Sequence, residues 1–149
     1  MTIRPASPAD AARLTLITRR SKAHWGYDPA QLKAWEEELT IRAEYLQQSI
    51  ASVALVGDLV VGYYSLDPLE VERYKLENLF VLPEYIGQGV GKALLKHALD
   101  TARQRQCRVV WLESDPHATD FYLHQGFRIV GQKPSSIPGR YLPVMELAL

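Results

Sequence analysis

The stretch that most limits how this chain can fold runs from Tyr74 to Arg105. A β-rich run, Tyr74 to Leu82, is followed by Pro83 and a glycine-rich loop through Gly91. Val90 to Arg105 is then an amphipathic helix, with Leu94, Leu95, Ala98, Leu99 and Ala102 on one stripe. Strand, loop and helix in that order call for a layered α/β structure. The loop reads Ile86-Gly87-Gln88-Gly89-Val90-Gly91-Lys92. Glycines allow a tight turn and leave backbone N–H groups uncovered. A helix N-terminus adds unpaired N–H groups and a partial positive charge. Together they suit a phosphate or pyrophosphate. The alternative is a tight turn with no ligand, and three alternating glycines argue against it.

Two familiar phosphate loops do not fit. A Walker A loop needs Gly, four intervening residues, then Gly-Lys and Ser or Thr; here Ile86 and Ala93 stand in the places of the first Gly and the Ser or Thr. A Rossmann fingerprint needs Gly-x-Gly-x-x-Gly. Started at Gly87 it ends on Lys92, and started at Gly89 it ends on Leu94.

Around this core the chain alternates in a legible way. Thr2 to Arg4 is a short extended start. Ser7-Pro8-Ala9-Asp10 reads as a helix N-cap with Pro at the first helical position, and the helix runs to about Ala23. His24 to Pro29 breaks it. A second helix, in one or two pieces, covers Pro29 to about Ser49 with Leu32, Trp35, Leu39, Ala43 and Leu46 on its apolar face. Ser52 to Val56 and Leu59 to Leu66 are strands joined by a Gly57-Asp58 hairpin turn. Val109 to Glu113 is a strand, and Pro116 to Gln125 a short helix ended by Gly126. Phe127 to Val130 and Leu142 to Leu147 form a final strand pair around a loop, Pro134 to Arg140. The order β-α-α-β-β-β-α-β-α-β-β predicts one α/β domain over residues 1–149, with a mixed sheet covered by helices.

Composition narrows the function. Lys and Arg number 17 and so do Asp and Glu, so no overall field draws the chain to nucleic acid or an anionic membrane. No apolar stretch reaches the ~18 residues of a membrane span. Cys107 is the only cysteine, which excludes an internal disulfide and a cysteine-based zinc site and fits a cytoplasmic protein. The N-terminus lacks the basic-then-apolar layout of a signal peptide. His97, His117 and His124 show no metal-ligand spacing with acids, so no metal is expected.

The pattern resembles the GNAT superfamily of acetyl-CoA-dependent N-acetyltransferases. Their signature is Arg/Gln-x-x-Gly-x-Gly/Ala after a strand ending in Val-x-Pro; here Val81-Leu82-Pro83 leads into Ile86-Gly87-Gln88-Gly89-Val90-Gly91. Members often carry Asn-x-x-Ala-x-x-Phe-Tyr-x-x-x-Gly-Phe after the next strand. Here Asp115, Ala118, Phe121, Tyr122, Gly126 and Phe127 stand at those positions. Ile86 departs from the usual basic or amide residue, and Asp115 from the usual Asn. The resemblance covers the chain and implies a GNAT-like fold. It implies acetyl-CoA as co-substrate, a primary amine of a small molecule or peptide as acceptor, and Leu79, Phe80, Val81, Gly87, Gln88, Gly89, Val90, Gly91, Lys92 and Asp115 at the CoA site. A non-catalytic acyl-CoA-binding module on the same fold is the alternative. A homodimer is open, since dimers are common among similar proteins.

Acetyl transfer to an amine needs a base for the amine's proton, a donor for the thioester oxyanion and an acid for the leaving thiolate. Glu77 is the expected base. Strand alternation puts it on the face of Leu79 and Val81, four residues before the Val81 N–H that the resemblance gives to the thioester. Glu72 and Asp115 stand in reserve, and an exposed or ion-paired strand carboxylate is the alternative. Tyr122 is the expected acid, by the place the resemblance gives it beside the CoA sulfur; a core aromatic is the alternative. Trp25 and Tyr27 are expected either to wall the acceptor site or to plug the helix junction. Tyr64 is expected at the cleft, and Arg140 on an acceptor carboxylate or at the surface.

Overall fold

The computed structural model describes all 149 residues. Strands β1 (Thr2–Pro5), β2 (Ile50–Val56), β3 (Leu59–Asp67), β4 (Arg73–Val81), β5 (Val109–Glu113), β6 (Arg128–Pro134) and β7 (Tyr141–Ala148) form one sheet in the order β1-β2-β3-β4-β5-β7-β6. The helices are α1 (Ala11–His24), α2 (Pro29–Ala34), α3 (Ala43–Gln48), α4 (Val90–Gln104) and α5 (Thr119–His124). β1 to β3 pair antiparallel, β4 and β5 parallel, and β5, β7 and β6 antiparallel. The expected order holds, and the second helix is two pieces.

Contacts along the backbone separate two compact units. The first is Met1–Leu66 with Asn78–Ala98. Its β2 and β3 are near-continuous apolar runs, as suits strands buried on both faces. Val53, Val61, Tyr63, Tyr64 and Leu66 of these strands are fully buried with Leu14, Ile17 and Leu94 of the helices. The hairpin pairs Val56 with Leu59, so two residues turn the chain, and Gly57 takes φ 60°. Gly62 of β3 is a close approach: a Cβ there would stand 3.0 Å from the Phe80 carbonyl oxygen and 3.1 Å from Leu94. The break between α2 and α3 also has a cause. The Ile41 N–H donates to Thr15 Oγ1 of α1 at 2.9 Å, which draws this segment out of helical register.

The second unit is Asp67–Glu77 with Leu99–Leu149. Val110, Leu112 and Met145 pack its core with Tyr74, Leu76, Ala102 and Phe127. Parallel pairing matches Arg73, Tyr74 and Lys75 of β4 to Val109, Val110 and Trp111 of β5. β6 is exposed along its whole length and reaches Pro134, beyond the end expected at Val130. β7 zips it by antiparallel pairing as far as Tyr141.

Candidate active site

The first unit carries the glycine loop. After β4, Pro83–Tyr85 form one 3-10 turn, and Gly87 and Gly89 both sit at φ 82°. That region is strained for side-chain-bearing residues, so glycine is required there. No atom lies within 4 Å of a Cβ built at either, so the space beside the loop is open. The α4 hydrogen-bond ladder begins with the Ala93 N–H on the Gly89 carbonyl at 3.0 Å. The N–H groups from Gly87 to Lys92 come before it. Lys92 is exposed on this first turn. A backbone cradle with an adjacent ammonium is the donor set that a pyrophosphate needs, and it does not depend on the side chain at position 86.

The strand leading into the loop is tied down from α1. Ser21 Oγ donates to the Val81 carbonyl at 2.7 Å. The Leu82 N–H donates to the Val61 carbonyl at 2.8 Å. Leu79, Phe80 and Val81 are all half-buried here. Arg20 pairs with Glu84, and Gln88 Nε2 donates to the Glu84 carbonyl at 3.2 Å, which braces the loop from α1.

Trp25 and Tyr27 follow α1 as expected but play different parts. Trp25 is exposed and meets His24 edge-on at 5.1 Å. Tyr27 packs edge-on against the buried Trp35 at 4.9 Å. The Lys22 ammonium stands over Tyr27, Trp35 and Phe80 together. Tyr64 is not at a surface: it is fully buried, and its hydroxyl shares a 2.8 Å hydrogen bond with His97 Nδ1. Tyr63 is equally buried, with its hydroxyl 2.6 Å from Thr18 Oγ1. A central strand buried on both faces leaves neither tyrosine a solvent side. A cavity between α1 and α2, lined by Arg19, Arg20, Leu32, Lys33 and Leu39 among others, includes none of the expected site residues.

The second unit carries Glu77, Tyr122, Asp115 and Arg140. Glu77 lies two residues beyond the last β4 residue paired with β5, and its side chain is 40% exposed. Lys75, on the same face of β4, holds it at 2.9 Å and also holds Glu113 at 2.7 Å. Burial works against the Lys75 ammonium, but its hydrogen bonds to Glu113 and Glu77 keep its pKa above the usual lysine range. Burial likewise works against the Glu113 carboxylate, yet Lys75 and Lys133 hold it below the usual range. Lys75 was not among the expected site residues. Its place two residues before Glu77, on the same strand face, is the signal that could have found it.

Tyr122 packs edge-on against Phe121 and Phe127. Burial, and then the nearby Asp115 charge, push its pKa above the ordinary tyrosine value. It keeps its proton at neutral pH, as any tyrosine does. Asp115 accepts from the His117 N–H at 2.9 Å, lies 2.8 Å from His117 Nδ1, and pairs with Arg140 at 3.5 Å. It thus caps the turn Pro116–Ala118, a structural task for the carboxylate that replaces the expected Asn. Arg140 is directed to this carboxylate within the protein.

A family model for acetyltransferases, described as the GNAT family, matches residues 17–127, which include the whole glycine loop and the Phe121-Tyr122 segment. The chain belongs to the acetyltransferase (GNAT) family. This GNAT protein is an acetyltransferase. It is 31% identical over 135 residues to the uncharacterised N-acetyltransferase YafP of Escherichia coli K12, covering 88% of this chain and 83% of that one. It is 29% identical over 147 residues to the peptidyl-lysine N-acetyltransferase YjaB of Salmonella typhimurium, covering 97% and 95%. Among solved structures it superposes on YncA of Salmonella typhimurium, determined with its cofactor acetyl-CoA. The TM-score there is 0.71 and the identity 28%, over 99% of this chain and 93% of that one. The GNAT fold is thereby established for this sheet order. No helix is long and apolar enough to cross a membrane.

Proposed function

We propose that this GNAT protein moves the acetyl group of acetyl-CoA to a primary amine of a small molecule or peptide, as a single catalytic domain. Acetyl transfer to an amine is the family's chemistry, which favours an enzyme over a binding module without turnover. The observation that carries the reading is the loop before α4, with both glycines at φ 82° and open space beside them. It fits the pyrophosphate of CoA, and the related YncA is described with acetyl-CoA. Acetyl-CoA supplies the thioester. In this reading the Gly87-to-Lys92 amides and Lys92 hold its phosphates, and the Val81 N–H donates to the carbonyl oxygen as charge builds there. Leu79 and Phe80 flank that donor on the strand. Asp115 shapes the turn before Tyr122.

Glu77 takes the proton of the amine, directly or through water, and Lys75 holds the carboxylate in place meanwhile. Tyr122, a neutral phenol at pH 7 as any tyrosine is, returns a proton to the leaving thiolate. The Salmonella relative named for peptidyl-lysine supports an alkyl amine as acceptor, and the lone buried Cys107 fits a reducing cytoplasm. The test is a pH–rate profile of thiol release for parent and Glu77→Gln on the same amine. Loss of a general base costs ~100- to 10,000-fold. The variant should lose that much turnover at pH 7, recover part of it at high pH where more amine is already neutral, and keep its acetyl-CoA affinity. Superimposable profiles would remove Glu77 as the base.

A further inference from the structure

Lys22 lies on α1 next to Ser21, whose hydroxyl holds the Val81 carbonyl at 2.7 Å. This turn of α1 is therefore fixed to the end of β4. The Lys22 Nζ stands 5.6 Å from the ring centre of Trp35, 5.8 Å from that of Tyr27 and 5.9 Å from that of Phe80. Three ring faces around one ammonium orient it by cation–π attraction. Tyr27 and Trp35 brace each other edge to face, which fixes two walls of the box. Phe80 immediately precedes Val81, and the Gly87-to-Lys92 cradle belongs to the same compact unit. The Lys22 ammonium is thus held beside Phe80, the neighbour of the Val81 at which the function proposed above places the thioester. This side chain carries the chemical group on which an amine acetyltransferase acts.

We propose that Lys22 is itself an acetyl acceptor, modified in cis by the acetyl-CoA this chain binds. The inference rests on the proposed function. The Lys22 ammonium gives up one proton, and the neutral Nζ forms a C–N bond to the acetyl carbonyl carbon. The C–S bond breaks with its electron pair left on the CoA sulfur. The nitrogen then sheds a second proton to leave a secondary amide. One proton finishes on the thiolate and one in solvent. The product keeps a methyl group and an amide against the rings and loses the charge that the rings attract.

Two measurements test this. In the first, the protein is incubated with deuterium-labelled acetyl-CoA and its lysines are followed by peptide mass mapping. Holding amine and thioester together should acetylate Lys22 at least about tenfold faster than the exposed Lys33 and Lys96, at a rate independent of protein concentration. Lys22→Arg, which keeps a cation in the box, should melt like the parent and show no added mass on that peptide. In the second, without turnover, N-hydroxysuccinimidyl acetate labels the lysines with and without desulfo-CoA, which lacks the thiol. Desulfo-CoA should shield Lys22 and leave Lys33 unchanged. Labelling of Lys22 at the rate of Lys33, or no shielding, overturns the inference. A protein that releases thiol with added amines but spares Lys22 overturns this inference alone. One that neither binds acetyl-CoA nor releases thiol overturns the proposed function as well.

Discussion

At the scale of single residues, Tyr122 is a neutral phenol at pH 7, as any tyrosine is, and its surroundings reinforce that form. Burial and the Asp115 charge both favour the neutral phenol, which is the form a proton donor must have. Tyr122→Phe removes the hydroxyl and keeps the ring contacts with Phe121 and Phe127. Melting temperature and acetyl-CoA affinity should stay as in the parent, while turnover falls ~100-fold or more. Steady-state kinetics beside a thermal melt decide it, and an unchanged kcat would assign Tyr122 to packing alone. A motif of fixed spacing singles this residue out for the proposed role. Strand alternation singles out Glu77, and it puts Lys75, which pairs with Glu77, on the same face. The box around Lys22 was not legible. It joins α1, the α1–α2 junction, Trp35 and β4, and no local pattern connects residues so far apart in sequence. Trp35 read as a helix-face apolar residue, and it is buried, but the cation above it is a tertiary fact. The burial of Tyr64 was hidden for a related reason. Alternation says that neighbouring side chains face opposite ways, but not that both ways lead into core.

At the scale of elements, the glycine loop carries the clearest expectation. A Cβ at Gly89 meets no neighbour, so Gly89→Ala suffers only the backbone strain of a left-handed residue, about 1–2 kcal/mol. For a domain of this size that lowers the melting temperature by roughly 2–8 °C. The loop relieves the strain by leaving φ 82°, which turns the cradle amides away. Acetyl-CoA affinity should therefore fall by about tenfold or more, equal to ~1.4 kcal/mol. Titration of parent and variant with acetyl-CoA measures this, and unchanged affinity would mean the loop is a turn and not a cradle. The elements themselves were legible where one period ran long enough to dominate. Val109–Glu113 matched to the residue, and α4 to its last turn. The break between α2 and α3 and the extension of β6 to Pro134 were harder to read. The first depends on a hydrogen bond from Ile41 to α1, and the second on pairing with β7, so both are set by partners distant in sequence.

At the scale of the whole molecule, three carboxylates tie separate parts of the chain to cations. Arg4 holds Asp10 below the usual range, with the Ser7 N–H helping, while Arg73 and Arg128 hold Glu146. Glu113 is held by Lys75 and Lys133 against its own burial. A carboxylate with a lowered folded pKa contributes stability that is complete above its unfolded value, about 3.9 for Asp and 4.3 for Glu. That contribution disappears as pH falls through the folded value. Stability should therefore be level near neutrality and decline below about pH 4. Asp10→Asn keeps an acceptor for the Ser7 N–H but loses the ion pair with Arg4, so it should cost up to about 1 kcal/mol at pH 7 and converge with the parent in strong acid. Denaturant unfolding at a series of pH values checks this, and curves that stay parallel into acid would contradict it. The central claim is that the strand–loop–helix unit is a CoA site. Isothermal titration of the purified protein with acetyl-CoA, ATP and NAD tests it most directly. Acetyl-CoA should bind one per chain and raise the melting temperature as its concentration exceeds the dissociation constant, whereas ATP and NAD should do neither. Binding of ATP or NAD with no binding of acetyl-CoA would contradict the account.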